Sequence, residues 1–258
     1  MNLKFEISFR TLVPALVLAG LFGMCRLASA ETVMATDHDS LADAYQDWIS
    51  ALEAAGGSNS RWEFPFEAPR PDNLSAGELE TVLSLRRLVR DQDTGPLETL
   101  VGNLTGRPLE MPVQMRYWLA YAQSVLNRQE ACWDNLRLLL LMQDSADHLE
   151  PGQRAWVLTA FADYSFLLGR RLLASRMYGQ LAVSTVEQLE LWGQYQLAGM
   201  DFLERNFNGA NRRYKVVCES DKSGTWREHA CAMAEMAARL DSLDLEGGSH
   251  GHVALVSP

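Results

Sequence analysis

From Ser75 onward apolar residues return every three or four positions, a short polar break interrupts them, and the cycle restarts. That spacing is the face of an amphipathic helix. It predicts helices over Ser75 to Arg90, Leu97 to Leu104, Met115 to Leu126, Ala131 to Gln143 and Arg154 to Leu168. Four more are predicted over Leu172 to Val183, Val186 to Leu203, Ala210 to Glu219 and Thr225 to Leu243. Ser75 and Glu78 form a Ser-x-x-Glu capping box that fixes the first start. In that helix Leu79, Val82, Leu83 and Val89 share a face, widened by Leu85 and Leu88. Arg86 falls inside it, so its stem must snorkel or the helix is only partly buried. Breaks such as Asn127-Arg128, Gly169-Arg170 and Asn206 to Gly209 are too short to route a sheet crossover and suit antiparallel neighbours. Strand signals are nearly missing, so an all-α fold is expected.

Upstream the pattern changes. Asp39 or Ser40 can cap a helix over Leu41 to Ala55 that sets Leu41, Ala44, Trp48 and Leu52 on one side. Gly56 to Ser60 ends it. Arg61 to Asp72, with three prolines and three aromatic residues, reads as a loop.

The helices also repeat. Ala162, Ala198 and Ala234 lie 36 residues apart, as do Phe161, Leu197 and Met233. The same offset links Trp156 to Trp192, Phe166 to Phe202, Ala174 to Ala210 and Tyr178 to Tyr214. An earlier unit with Ala120, Cys132 and Leu136 is displaced by 42, the extra six residues falling in the polar Asp144 to Gly152 loop. A period of this length is the mark of a solenoid, in which each unit buries its apolar face against the next. A small residue in the first helix, another early in the second and a bulky one a turn later resemble the tetratricopeptide repeat over about residues 113 to 243. Leu158 and Gln194 stand where that family favours tryptophan, and the period exceeds the family's usual one. The resemblance implies an α-solenoid of antiparallel helix pairs wound as a right-handed superhelix, with Thr225 to Leu243 as an unpaired terminal helix.

The first thirty residues belong to a different class of sequence. Lys4 and Arg10 precede a short apolar run from Leu12 to Phe22, and Ala28-Ser29-Ala30 follows, the pattern of a cleaved secretory signal peptide. The run is too short for a spanning helix. A lipoprotein would use Cys25, but Phe22-Gly23-Met24 lacks the usual small residues. The expected division is a signal peptide at 1–30, a helix and loop at 31–74, a repeat domain at 75–244 and a flexible tail at 245–258. Removing Lys4, Arg10, Arg26 and Glu6 leaves 20 basic against 32 acidic residues, a formal net charge of −12. So acidic a balance argues against nucleic acid or an anionic membrane as the main partner and fits a periplasmic or secreted protein. No further segment is long and apolar enough for membrane insertion to be expected after signal cleavage. Cys132, Cys218 and Cys231 remain. Cys218 and Cys231 can bridge the last two helices across Glu219 to Gly224, or all three can be small buried residues.

Chemistry-bearing patterns are few. His38, His250 and His252 lie near the two ends, and Gly247 to Gly251 matches a hydrolase elbow without the strand and helix it needs. No catalytic group, metal or cofactor is expected. The resemblance implies a concave groove lined by the first helix of each unit. Its residues would be Tyr117, Tyr121, Trp156, Thr159, Asp163, Phe166, Trp192, Tyr195, Phe202, Leu203, Glu228, Glu235 and Arg239. Aromatic anchors in an acidic surround suit a protein or peptide partner with apolar and basic side chains. The alternative for these aromatics, Phe166 and Phe202 especially, is packing between helices. The expected function is an exported scaffold or adaptor, in an envelope assembly or secretion complex. The alternative is a helical enzyme or small-ligand binder acting on cell wall or polysaccharide. On the groove reading, Trp156→Ala and Trp192→Ala weaken the partner and spare the fold.

Overall fold

A computed structural model describes residues 35–55, 74–105, 111–142, 145–222, 224 and 226–249 of the 258. The expected signal peptide, the Pro-rich loop, His250 and His252 lie outside them. The described residues form α-helices and one 3-10 turn, Ser145–His148, with no strand among them. No helix among them is long and apolar enough to cross a membrane. The chain divides into two compact units.

The first unit holds described residues 35–177 and 184–186. Its helices are α1 (Ala35–Ala54), α2 (Ala76–Asp91), α3 (Thr94–Leu104), α4 (Val113–Val125), α5 (Gln129–Leu141), α6 (Pro151–Leu167) and the start of α7 (Arg171–Leu181). Ser75 caps α2 as expected: its hydroxyl accepts from Glu78 N while Ser75 N donates to the Glu78 carboxylate at 2.7 Å. Helix α2 packs on α3 and α4, α4 on α5, and α5 on α6.

Helix α1 packs against α5 and α6. Leu41, Tyr45, Trp48, Ile49 and Leu52 are each at most 4% exposed, and burying a large apolar side chain contributes about 1.5–3 kcal/mol. Ala44 is half-buried, and Tyr45 takes the central place instead. Tyrosine can be buried there because its hydroxyl donates to the Leu158 carbonyl at 2.7 Å. Near the other end of α1, the Arg154 guanidinium donates to the Ala51 carbonyl, and one Glu53 oxygen accepts from Ser184 Oγ and Thr185 N, both at 2.8 Å.

The Thr185 and Ser184 donors hold the Glu53 carboxyl below the usual 4.5 of a glutamate. A carboxyl lowered in the folded state stabilises it above that value, and the contribution is lost as pH falls through the lowered one. Glu53→Gln should therefore flatten the acid limb of the melting temperature below about pH 4.5, and an unchanged limb would show the contact contributes nothing.

The second unit holds described residues 178–183 and 187–249. It comprises the end of α7, then α8 (Glu187–Leu203), α9 (Phe207–Ser220) and α10 (Arg227–Ser249). Helix α10 continues past residue 244, where a flexible tail was expected to begin. Gly193 lets α8 approach α7 closely: a Cβ there would lie 2.4 Å from Ala182 N and 2.7 Å from the Tyr178 carbonyl oxygen. Those are backbone atoms that cannot swing aside. Gly193→Ala should cost about 3 kcal/mol in chemical denaturation, the upper part of the usual overpacking range.

One turn recurs along the chain. Gln92, Asn127, Gly169 and Arg205 adopt φ of 56°, 54°, 76° and 63°, at spacings of 35, 42 and 36 residues. After each, the next N–H bonds five residues back, at 3.0 Å (Asp93 to Leu88), 2.8 Å (Arg128 to Gln123), 2.9 Å (Arg170 to Ser165) and 2.8 Å (Asn206 to Asp201). This is the Schellman closure of a helix end. The carbonyls of Asp93, Arg128, Arg170 and Asn206 then accept from Leu97, Cys132, Ala174 and Ala210, opening the next helix. The small residues of the sequence repeat share an environment: Ala120, Ala162, Ala198, Ala174, Ala210 and Cys132 are fully buried, and Ala234 is 4% exposed.

Candidate functional site

In the first unit the expected groove residues converge, but inside the protein. Tyr117 and Tyr121 on α4 are 0% and 4% exposed, and Trp156 on α6 is 7% exposed. Their rings form one cluster: Tyr117 meets Trp156 edge-on at 5.4 Å, and Tyr121 lies 4.9 Å from Trp156. Trp118, which the repeat did not single out, joins at 5.4 Å from Tyr117 and 5.8 Å from Tyr121. Burial pushes the Tyr121 hydroxyl up to about 12, so it stays protonated at neutral pH. Thr159 is buried, and its hydroxyl donates back to the Ala155 and Trp156 carbonyls of its own helix. Asp163 and Phe166 are half-buried and keep some surface.

Helix α4 buries polar groups as well. Arg116, 2% exposed, donates to Asn135 Oδ1 at 3.1 Å, and Asn135 Nδ2 donates to Gln123 Oε1 at 2.9 Å. Gln114 Nε2 donates to the His148 carbonyl at 2.7 Å, tying the 3-10 turn to α4. Such a network fixes how neighbouring helices align. On α5, Trp133 stacks on Phe161 at 5.4 Å and donates to Ser165 Oγ at 2.8 Å. The Arg170 guanidinium carbon lies 3.3 Å from the Trp133 ring centre, a cation–π contact set by the left-handed turn at Gly169.

In the second unit Trp192 and Tyr195, 2% and 5% exposed, stack at 6.0 Å. Trp226 lies 5.5 Å from Trp192, and Tyr214 meets Tyr195 edge-on at 5.7 Å. The Tyr195 hydroxyl sits 2.6 Å from His229 Nδ1. Burial raises that hydroxyl to about 12 and lowers the histidine, so at neutral pH the phenol donates to a neutral imidazole. Phe202 and Leu203 are half-buried, with Phe202 edge-on to Phe207 at 5.4 Å. Glu228, Glu235 and Arg239 are exposed on α10.

A shallow cleft of about 340 Å³ beside α9 is lined by Asp201, Asn206, Gly209, Arg212, Arg213 and Val216. Its polar groups largely satisfy one another: Arg213 donates to Asp201 and Gln194, each at 3.0 Å, and Asn206 donates to Asp201 at 2.8 Å.

Cys218 and Cys231 are joined by a disulfide that links α9 to α10. Asp221, 2% exposed in the enclosed loop, accepts from Gly224 N, Trp226 N and Arg227 N, and so caps α10. Cys132 is the free thiol among the described residues, and burial pushes it well above its ordinary range.

Two corrections follow. Tyr117, Tyr121, Trp156, Thr159, Trp192 and Tyr195 are interior side chains and do not floor an open trough, because aromatic faces on adjacent helices bury one another. The aromatic clusters also draw on Trp118 and Trp226, outside the repeat positions singled out. Asp163, Phe166, Phe202, Leu203, Glu228, Glu235 and Arg239 retain accessible surface. No family model matches the chain, and no curated protein or solved structure gives a significant match.

Proposed function

We propose that the protein is an exported, tetratricopeptide-like array of helix pairs that works as a scaffold for a protein or peptide partner. The observation that carries this reading is the recurrent turn at Gln92, Asn127, Gly169 and Arg205, whose last two spacings equal those of the buried alanines. A chain built from one repeated helix-turn-helix unit stacks its units and leaves an extended surface for recognition. Export is supported by the Cys218–Cys231 disulfide, which persists in oxidising compartments.

Recognition on this reading uses the accessible groove members. In the first unit these are Asp163 and Phe166. In the second they are Phe202, Leu203, Glu228, Glu235 and Arg239. The buried aromatics act as a rigid support beneath them. A partner segment with apolar anchors and basic residues matches half-exposed phenylalanines beside carboxylates.

The test is site-specific photo-crosslinking in the native compartment from Asp163 and from Leu203, with mass spectrometric identification. One shared partner, lost when Leu203→Glu is added, is the expected result. Crosslinks confined to the chain itself would sink the scaffold reading. N-terminal sequencing of the purified protein should begin at Glu31, and a retained Met1 would remove export by this signal.

A further inference from the structure

We propose that Asn208 is a deamidation site gated by conformation, closed while the Asn206 side chain caps α9 and open when that first turn frays. The modification is of the chain itself and needs no partner.

Asn208-Gly209 is the only Asn-Gly step in the 258 residues. The chemistry at such a step is intramolecular. The Gly209 backbone nitrogen, once its proton leaves, attacks Asn208 Cγ. A succinimide ring forms, and the Asn208 side-chain nitrogen departs as ammonia. Water then opens the ring at either carbonyl, leaving aspartate or isoaspartate at position 208 with no net oxidation or reduction. Glycine favours the attack because it has no Cβ to crowd the nitrogen.

Access and gate both lie in the first turn of α9. Asn208 is exposed at the second position of the helix, so its amide is open to water. Gly209 is buried beside it, in the turn whose N–H groups have no carbonyl partner within their own helix. Its N–H donates instead to Asn206 Oδ1 at 3.1 Å. While that bond holds, the nucleophile is engaged. Ring closure also needs a ψ far from the helical value of about −42°. Asn206 is held in its turn: its Nδ2 donates to one Asp201 oxygen at 2.8 Å, and Arg213 donates to the other at 3.0 Å.

The cap also dictates the glycine. A Cβ at 209 would lie 2.8 Å from Asn206 Cγ and closer still to its Nδ2, so a side chain there would push the cap away. The other recurrent turns differ. Asp93 and Arg128, after Gln92 and Asn127, make no side-chain bond to the helices they open. Arg170, after Gly169, has no side-chain acceptor to offer. Only the turn at Arg205 is closed by a side chain over a labile peptide.

The two products have opposite effects on α9. Aspartate at the second position of a helix complements its dipole. Isoaspartate adds a methylene to the main chain and shifts α9 against α8 and α10, both of which pack on it.

The test incubates the purified mature protein in mildly alkaline buffer and maps the tryptic peptide Asn206–Arg212, in which tandem mass spectrometry separates Asn208 from Asn206 and Asn211. Conversion at Asn208 should be slow in the folded chain and about tenfold faster or more in urea, where no helix holds the turn. Asn206→Ala should speed it about fivefold, the change in opening that a lost cap brings. Asn206→Ser still caps and should stay within about twofold of the wild type. Asp201→Ala should raise the rate as well, by loosening Asn206. Ser75→Ala removes a comparable cap from α2 and should leave the rate unchanged, which separates local fraying from general destabilisation. Conversion as fast in the folded chain as in urea overturns the gate. So does an Asn206→Ala rate equal to the wild type's, or one that Ser75→Ala matches.

Discussion

Trp156→Ala and Trp192→Ala should each lower stability by about 3–5 kcal/mol, the cost of emptying a buried indole site. Both are interior, and each has ring neighbours that would lose contact: Tyr117 and Tyr121 for Trp156, Tyr195 and Trp226 for Trp192. For a chain of this size that corresponds to a drop of roughly 6–20 °C in melting temperature. Urea titration followed by circular dichroism reads the change without relying on the deleted fluorophore. Partner binding by these variants should fail along with the fold, not ahead of it. A variant that melts like the wild type yet loses a partner would restore the open aromatic trough and displace the reading built on burial.

Removing the Cys218–Cys231 bridge should cost about 3 kcal/mol, the expectation for closing a loop of this length. The two cysteines are 13 positions apart, and the enclosed segment contains the Asp221 cap, so α10 loses its covalent tie where its first turn is anchored. Cys218→Ser with Cys231→Ser should lower the urea midpoint, and reductant should have the same effect on the wild type alone. Thiol counting gives an independent check. The processed native chain should take up no alkylating reagent, since Cys132 is buried. It should take up one equivalent after unfolding and three after unfolding with reduction. Three equivalents on unfolding alone would show that the bridge does not form.

Much of this architecture could be read from periodicity. Helix positions from Ser75 to Leu243 follow from the apolar spacing, because a buried stripe repeating at the helical pitch leaves little freedom. The capping box at Ser75 and the turns after Val125, Leu167 and Leu203 were legible for the same reason: they interrupt the pattern with residues that favour turns. What periodicity cannot supply is which side of a two-faced helix meets solvent. Helix α4 has apolar residues and buried Gln114, Arg116 and Gln123 almost all the way round, so no wheel could assign Tyr117 to surface or core. The role of Tyr45 rests on an acceptor 113 residues away, the Leu158 carbonyl, which no local window contains. Trp226 and His229 lie at the start of α10, where the repeat offset points to dissimilar residues, Glu190 and Gly193.

The left-handed turns bear on how the chain tolerates changes in length. Each is held by backbone bonds between fixed positions, and Gln92, Asn127 and Arg205 accept a conformation that favours glycine. One residue added inside such a turn would rotate everything downstream by about 100° and misalign the next apolar stripe. Among the described residues the return between α5 and α6 has no such left-handed turn, and the six-residue surplus between the second and third turns falls there. Natural indels, epitope tags and linker grafts should therefore survive in that return, while the connections inside a pair, and the return that Asp221 and the Cys218–Cys231 bridge close, keep their length.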